Sequence, residues 1–336
     1  MIVVLSIHDI TLHRKQLTIM TDQVRAVVVD PGAPNRLSLQ QVEVAAPKSS
    51  EALIRVHSIS LNRGEIRNAG SAPAGFRPGW DLAGVVEQAA ADGTGPKAGD
   101  RVVGFVASGA WAERVAVPTH SLAVLPAGVT FAQAATLPVA GLTALYGLDK
   151  GGNLLRKRVL ITGAAGGVGH FAVQLAHATG ATVIGHTRST DRVDLVKAAG
   201  AQYVATGDGT GNSTEFAPYD LILDGVGGQF VSQGIGLLSR NGLYVLYGTT
   251  GGTEVTVNAM QLYRGGGLSL YGLTLFHEVI YHQAASIGLA RLIGLVAEGT
   301  LKPLIAVEAP IEQIGALSQQ LMDRGYAGKA VLHFLA

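Results

Sequence analysis

A burst of small residues between a strand and a helix carries the strongest chemical signal in this chain. In Val159-Leu-Ile-Thr-Gly-Ala-Ala-Gly-Gly-Val-Gly169, apolar residues lead into the turn and an apolar-periodic run starts at Phe171. Such a corner aims unpaired backbone N–H groups, and the positive end of the helix dipole, at a phosphate. Ala164, Ala165, Gly166, Gly167, Val168 and Gly169 read A-x-G-x-x-G, with Ala164 where dinucleotide sites usually carry their first glycine. Gly166 lets the backbone approach a pyrophosphate, and Gly169 lets helix and strand pack closely. An ordinary glycine turn of an α/β protein has the same letters.

The next strand, Ala181-Thr-Val-Ile-Gly-His186, leads to Thr187, Arg188 and Ser189, where an NAD site usually places a carboxylate for the ribose 2′-OH. A guanidinium flanked by hydroxyls suits a 2′-phosphate instead. Arg192 offers a second charge, although both arginines also fit a solvated helix start. NADP(H) is the expected cofactor.

These residues need a scaffold, and 336 residues allow two domains. Hydrophobic residues at 48% against 15% charged exclude a disordered chain, and a net charge of +1 gives no field for nucleic acid or an anionic membrane. The absence of cysteine removes disulfides, thiolate nucleophiles and cysteine-ligated zinc, and is compatible with a cytoplasmic protein. No apolar run reaches the ~18 residues of a membrane span. Residues 1–19 read as an extension ahead of Met20, with no basic lead-in that would make a signal peptide.

From residue 24 to 130 short apolar or alternating runs are broken by Gly, Pro, Asp or Asn: 25–30, 52–57, 84–87, 101–105 and 111–117. That texture predicts an antiparallel, barrel-like β domain. Strands and helices then alternate, with strands at 159–162, 182–186, 202–204, 221–223, 243–247 and 268–271, which predicts a doubly wound parallel sheet. A helix at 284–298 and a strand at 330–334 most simply return to the β domain.

The order and spacing resemble the medium-chain dehydrogenase/reductase superfamily, specifically its zinc-free quinone oxidoreductase branch. The resemblance is carried by Gly79-Trp-Asp-Leu-Ala-Gly-Val-Val-Glu87, Gly99-Asp-Arg-Val-Val-Gly104, Gly109-Ala-Trp-Ala-Glu113, Ala134-Ala-Thr-Leu-Pro-Val-Ala-Gly-Leu-Thr-Ala144, the glycine turn, Asp224-Gly-Val-Gly-Gly228 and Gly328-Lys-Ala-Val-Leu332. It implies an α/β fold: a discontinuous GroES-like β-barrel domain plus a doubly wound Rossmann domain. The expected division is 1–19 extension, 20–145 first part of the GroES-like substrate domain, 146–273 Rossmann NADP-binding domain, and 274–336 return to the substrate domain. The short-chain dehydrogenase pattern is also met by Thr162, Gly163, Gly167 and Gly169, but the Tyr-x-x-x-Lys pair those enzymes need downstream lies upstream here, at Tyr146 and Lys150.

The resemblance also sets Asn62, Trp80 and Val139 at the positions where zinc alcohol dehydrogenases hold their catalytic ion. Indole N–H is donor-only and valine offers no donor atom, so no metal is expected. Hydride must then go to an acceptor that needs no strong Lewis acid, a quinone or an α,β-unsaturated carbonyl. Asn62 is the expected hydrogen-bond donor near the nicotinamide, or else a cap for its loop, and Glu65 is expected to orient that loop. The resemblance implies Thr143 at the nicotinamide, the backbone of Val226, Tyr247, Gly248 and Leu270 along the dinucleotide, and Lys329 near the cleft or else on the surface. Trp80 and Phe105 fit either an acceptor pocket or the core. Tyr247 and Tyr271 are proton-donor candidates at strand ends, with the donor left unassigned. The expected function is NADPH-dependent, metal-free reduction of a small quinone or enone by a homodimer, with no nucleic-acid or membrane partner. The alternative is an NADPH-binding protein with little turnover, in a structural or sensor role.

Overall fold

The computed structural model describes residues 23–334; the expected extension at 1–19 lies outside the described residues. Strands β1 (Gln23–Val29) and β2 (Leu37–Glu43) pair as an antiparallel ribbon. Strands β3 (Glu51–Ser60), β4 (Asp81–Gln88), β5 (Arg101–Phe105), β6 (Arg114–Pro118) and β7 (Leu122–Val124) follow. The central run holds β8 (Arg158–Thr162), β9 (Thr182–Thr187), β10 (Tyr203–Thr206), β11 (Tyr219–Asp224), β12 (Leu238–Leu246) and β13 (Ser269–Gly272), and the chain closes with β14 (Ile305–Pro310) and β15 (Lys329–His333).

Strands β3 to β15 sort into the two sheets that the hydrophobic texture predicts. The first runs β14-β15-β3-β4-β5-β7, with β6 also paired to β3, and is antiparallel apart from β14 with β15. Its end strand β15 pairs with β3, so the C-terminal return completes the barrel-like sheet begun near residue 51. The second is all parallel, ordered β10-β9-β8-β11-β12-β13. That is the 3-2-1-4-5-6 order of a dinucleotide-binding sheet, with its reversal between β8 and β11. Ligands of such sheets bind outside the carboxyl ends of the strands at the reversal. The sequence reading missed β2, β7 and β14. β7 has three residues, while β2 and β14 keep much of their length half-buried or exposed, so neither shows a clean alternation.

At the reversal, the glycine corner is built differently from the usual motif. Gly163, at φ 58°, makes the left-handed turn. The turning duty thus falls one residue before Ala164, which explains why alanine is admissible there. Gly166 caps the helix Gly167–Ala178, whose Phe171, Ala172, Val173 and Leu175 are buried. Gly169 faces the turn so closely that a Cβ would lie 2.2 Å from the Gly163 carbonyl oxygen. The same corner docks on the other domain: Gly328 N–H donates to the Ala165 carbonyl (3.0 Å), and Gly166 bridges Gly328.

Replacing Gly169 by alanine therefore destabilises the protein, despite alanine's better helix propensity, by the ~1–3 kcal/mol typical of overpacking. Gly294→Ala, inside the helix Ala285–Ala297 with open space around its Cβ, stabilises by ~0.5–1 kcal/mol. Urea unfolding of the two variants checks both signs; equal stability of Gly169→Ala and wild type contradicts the close corner.

Candidate functional site

A buried carboxylate organises the crevice. Asp224 ends β11 and accepts from the Thr162 hydroxyl (2.5 Å) at the end of β8, the N–H groups of Val226 (2.8 Å) and Gly227 (2.9 Å), and the Tyr244 hydroxyl (2.8 Å). Tyr247 N–H donates to the Asp224 carbonyl (2.8 Å). Val226, Tyr247 and Gly248 consequently stand just past the ends of β11 and β12, on the crevice rim. Leu270 does not join them. It lies within β13, registered against Tyr244 of β12, with its side chain half exposed at the sheet edge.

Beside the end of β9, Thr187 is buried and Arg188 is exposed, with no ion-pair partner among the described residues. The Ser189 hydroxyl donates to Asp191. The Arg192 guanidinium donates to the carbonyls of Arg324 (3.1 Å) and Tyr326 (3.4 Å) in the loop before β15, which anchors it there and leaves its charge without an acidic partner among the described residues. That loop also brings up Arg324, which sequence reading missed. Partial burial and the Arg188 charge together lower the Arg324 pKa, and Arg63 is lowered by burial and by Arg324 in turn. Among the described residues these guanidinium groups have no acidic partner, an arrangement whose field favours an anion.

On the barrel side, Asn62 caps the helix Arg63–Ser71 with Glu65 in a capping box. Glu65 is buried and accepts from Asn62 N–H (2.6 Å) and Trp80 N–H (2.8 Å), so it orients the loop as expected. Asp81 accepts from the Ser60 hydroxyl (2.7 Å) and Val139 N–H (2.9 Å). Lys329 is no surface charge; it is 3% exposed. Its ammonium donates to the Leu61 carbonyl (2.8 Å) and Asn62 Oδ1 (2.5 Å) and stands 3.4 Å from Asp81 Oδ2. Burial, then the Asp81 charge, pushes the Glu65 carboxyl well up. Burial pulls the Lys329 ammonium down against the attraction of Asp81 and Glu65. Asn62 is both cap and network member: its amide donates to Asp81 (2.7 Å) and more weakly to Glu65 (3.2 Å). It is therefore not the free donor that the sequence reading expected.

Trp80 packs on Gly64, where a Cβ would meet its ring at 2.8 Å, and stands edge-on to Phe276 with centroids 5.2 Å apart. Phe276 and Phe105 (5.3 Å apart) line a cavity of about 540 Å³ together with His120, Ser121 and His282. Thr143 is buried in the helix Leu142–Asp149. The two tyrosine candidates differ. Burial raises Tyr247, whose ring covers Gly225. The Tyr271 hydroxyl donates to Glu278 (2.5 Å), which Lys150 also pairs at 2.8 Å.

A switch-point crevice, a phosphate-directed corner and a polar pocket from a second domain define a nucleotide-dependent dehydrogenase or reductase. Comparison with known proteins agrees. Residues 48–127 match the alcohol dehydrogenase GroES-like domain and residues 167–288 the zinc-binding dehydrogenase family. A mouse synaptic vesicle membrane protein VAT-1 homolog-like is 30% identical, covering 92% of this chain and 81% of its own. The quinone oxidoreductase of Pongo abelii is 29% identical, covering 92% and 97%. The 2-methylene-furan-3-one reductase of Solanum lycopersicum is 35% identical over 59% of this chain and 55% of its own. A mycobacterial protein solved in complex with NADPH superposes with a TM-score of 0.83 at 27% identity, covering 93% and 100%. The chain belongs to the medium-chain dehydrogenase/reductase superfamily, in its quinone oxidoreductase branch.

Asp224→Asn turns an amide N–H toward groups that already donate, so the variant loses ~3 kcal/mol or more of stability, a charged hydrogen bond's contribution. Thermal unfolding tests this; a shift of under a degree contradicts the crevice geometry.

Proposed function

We propose that this protein is an NADPH-dependent, metal-free oxidoreductase that passes hydride to a quinone or an α,β-unsaturated carbonyl. The observation that carries the reading is the pairing of the glycine corner with unpaired arginines on one side and an amide-bearing polar pocket on the other. The N–H groups at the start of the helix Gly167–Ala178, with Gly166 and Gly169 clearing space, would hold the pyrophosphate. Arg188 and Arg324 would hold the 2′-phosphate, with Thr187 and Ser189 beside them. Thr143, Val226, Tyr247 and Gly248 would line the remaining length. The NADPH-complexed mycobacterial relative and the quinone- and furanone-reducing relatives support this reading.

The residues present do not fit a catalytic zinc. Asn62 has its carbonyl oxygen taken by Lys329, Trp80 offers only a donor, and Val139 enters the pocket through its backbone N–H to Asp81. The group His277, Glu278 and His282 does bring three ligand atoms within 4.8 Å, but Glu278 is already held by Lys150 and Tyr271. No step is routed through a metal.

When bound, the reduced nicotinamide supplies the hydride. This chain's part is to orient it and to stabilise the oxyanion that forms on the acceptor. The weaker Asn62 bond, to Glu65, is the one an acceptor oxygen would replace. Trp80, Phe105 and Phe276 offer apolar and aromatic surface to the acceptor. No single described helix is long and apolar enough to cross a membrane. Among the described residues β13 is an edge strand of the parallel sheet, and its exposed Leu270 supports a homodimer joined there.

Mixing the protein with NADPH and a panel of quinones and enones should consume the nicotinamide absorbance; no loss with any acceptor leaves the binding-only role as the better reading. Arg188→Ala and Arg324→Ala should each weaken NADPH binding roughly tenfold or more, from loss of a charged hydrogen bond, while NADH binding stays unchanged. Equal effects on the two nucleotides in a binding titration contradict the 2′-phosphate site.

A further inference from the structure

Lys329 spans the two halves of the site. It follows Gly328, whose N–H reaches Ala165 in the glycine corner. Its stem then crosses Gly167, where a Cβ would lie 2.9 Å from Lys329 Cδ. Its ammonium ends in the barrel on Leu61, Asn62 and Asp81. One side chain thus touches the first residue of the nucleotide-facing helix and the amide of Asn62.

An amide presents an acceptor at one end and donors at the other, and neighbours decide which end points where. An ammonium only donates, so Lys329 takes the Asn62 oxygen and directs the N–H end toward Asp81 and Glu65. A developing oxyanion requires that donor end, held in place before the reaction. A misplacement of about 1 Å in such a site can cost ~10²-fold in rate.

We infer that Lys329 is a positioning residue for the reduction: it fixes the donor end of Asn62 and ties that amide to the glycine corner, so that cofactor and acceptor oxygen meet in one geometry. The inference rests on the reductase reading above. No bond to Lys329 is made or broken in the step; hydride moves to the acceptor, and the proton that completes it comes from solvent.

The test uses Lys329→Met, the double variant Lys329→Met/Asp81→Asn, and Lys329→Arg. The single Met variant leaves buried carboxylates uncompensated, so its loss of stability is expected and uninformative alone. The double variant removes one charge of each sign and frees Asn62 to turn its oxygen toward the new amide. It should recover most of the lost unfolding temperature and bind NADPH as the wild type does. Its kcat with a quinone should stay ~10²-fold low, with a larger isotope effect from 4-deuterated NADPH. Lys329→Arg, still a donor-only cation, should keep the larger part of kcat. A double variant with wild-type kcat, a loss confined to KM, or equal losses in the Arg and Met backgrounds overturns the inference. A wild type that oxidises no NADPH overturns the reductase reading instead, and is seen before any variant is compared.

Discussion

The structure depends on one contact between domains: the glycine corner of the parallel sheet resting on the strand that closes the barrel. Gly328 bonds to Ala165 and bridges Gly166, and the next residue sends its side chain past Gly167 into the barrel. The backbones approach closely because glycines line both sides. A Cβ at Gly328 would lie 2.4 Å from the Leu304 carbonyl oxygen, and its φ of 76° is one that glycine adopts without steric cost. That contact helps fix the phosphate-directed helix relative to the Asn62 loop, beside the apolar core that the two domains share.

Burying Lys329 is costly unless its surroundings answer the charge. The Asp81 carboxylate, a carbonyl and an amide oxygen surround it, and backbone N–H groups of Val139 and Trp80 satisfy Asp81 and the neighbouring Glu65 in turn. Asn62, Asp81, Glu65 and Lys329 thus form one largely buried hydrogen-bond network.

What could be seen from the sequence was what lies close together along it. The corner from Val159 to Gly169 and the Arg188 position are local, and their spacing reflects backbone geometry. The strand rhythm of the parallel sheet is likewise local, because each buried strand is a short apolar run. Arg324 and Lys329 meet Arg188 and Asn62 only through the return of the chain, and no spacing rule joins them. The carbonyls that anchor Arg192 come from a distant loop and are likewise invisible to residue types. Leu270 was placed along the dinucleotide by resemblance alone, and no spacing of residues tests that placement.

The most direct measurement is a single turnover. Protein stripped of metal by a chelator, with its metal content verified, is mixed rapidly with stoichiometric NADPH and an excess of quinone. One equivalent of NADPH should be oxidised at the rate seen before chelation. If oxidation appears only after zinc is restored, the account of a site run by a buried ammonium and a positioned amide is wrong.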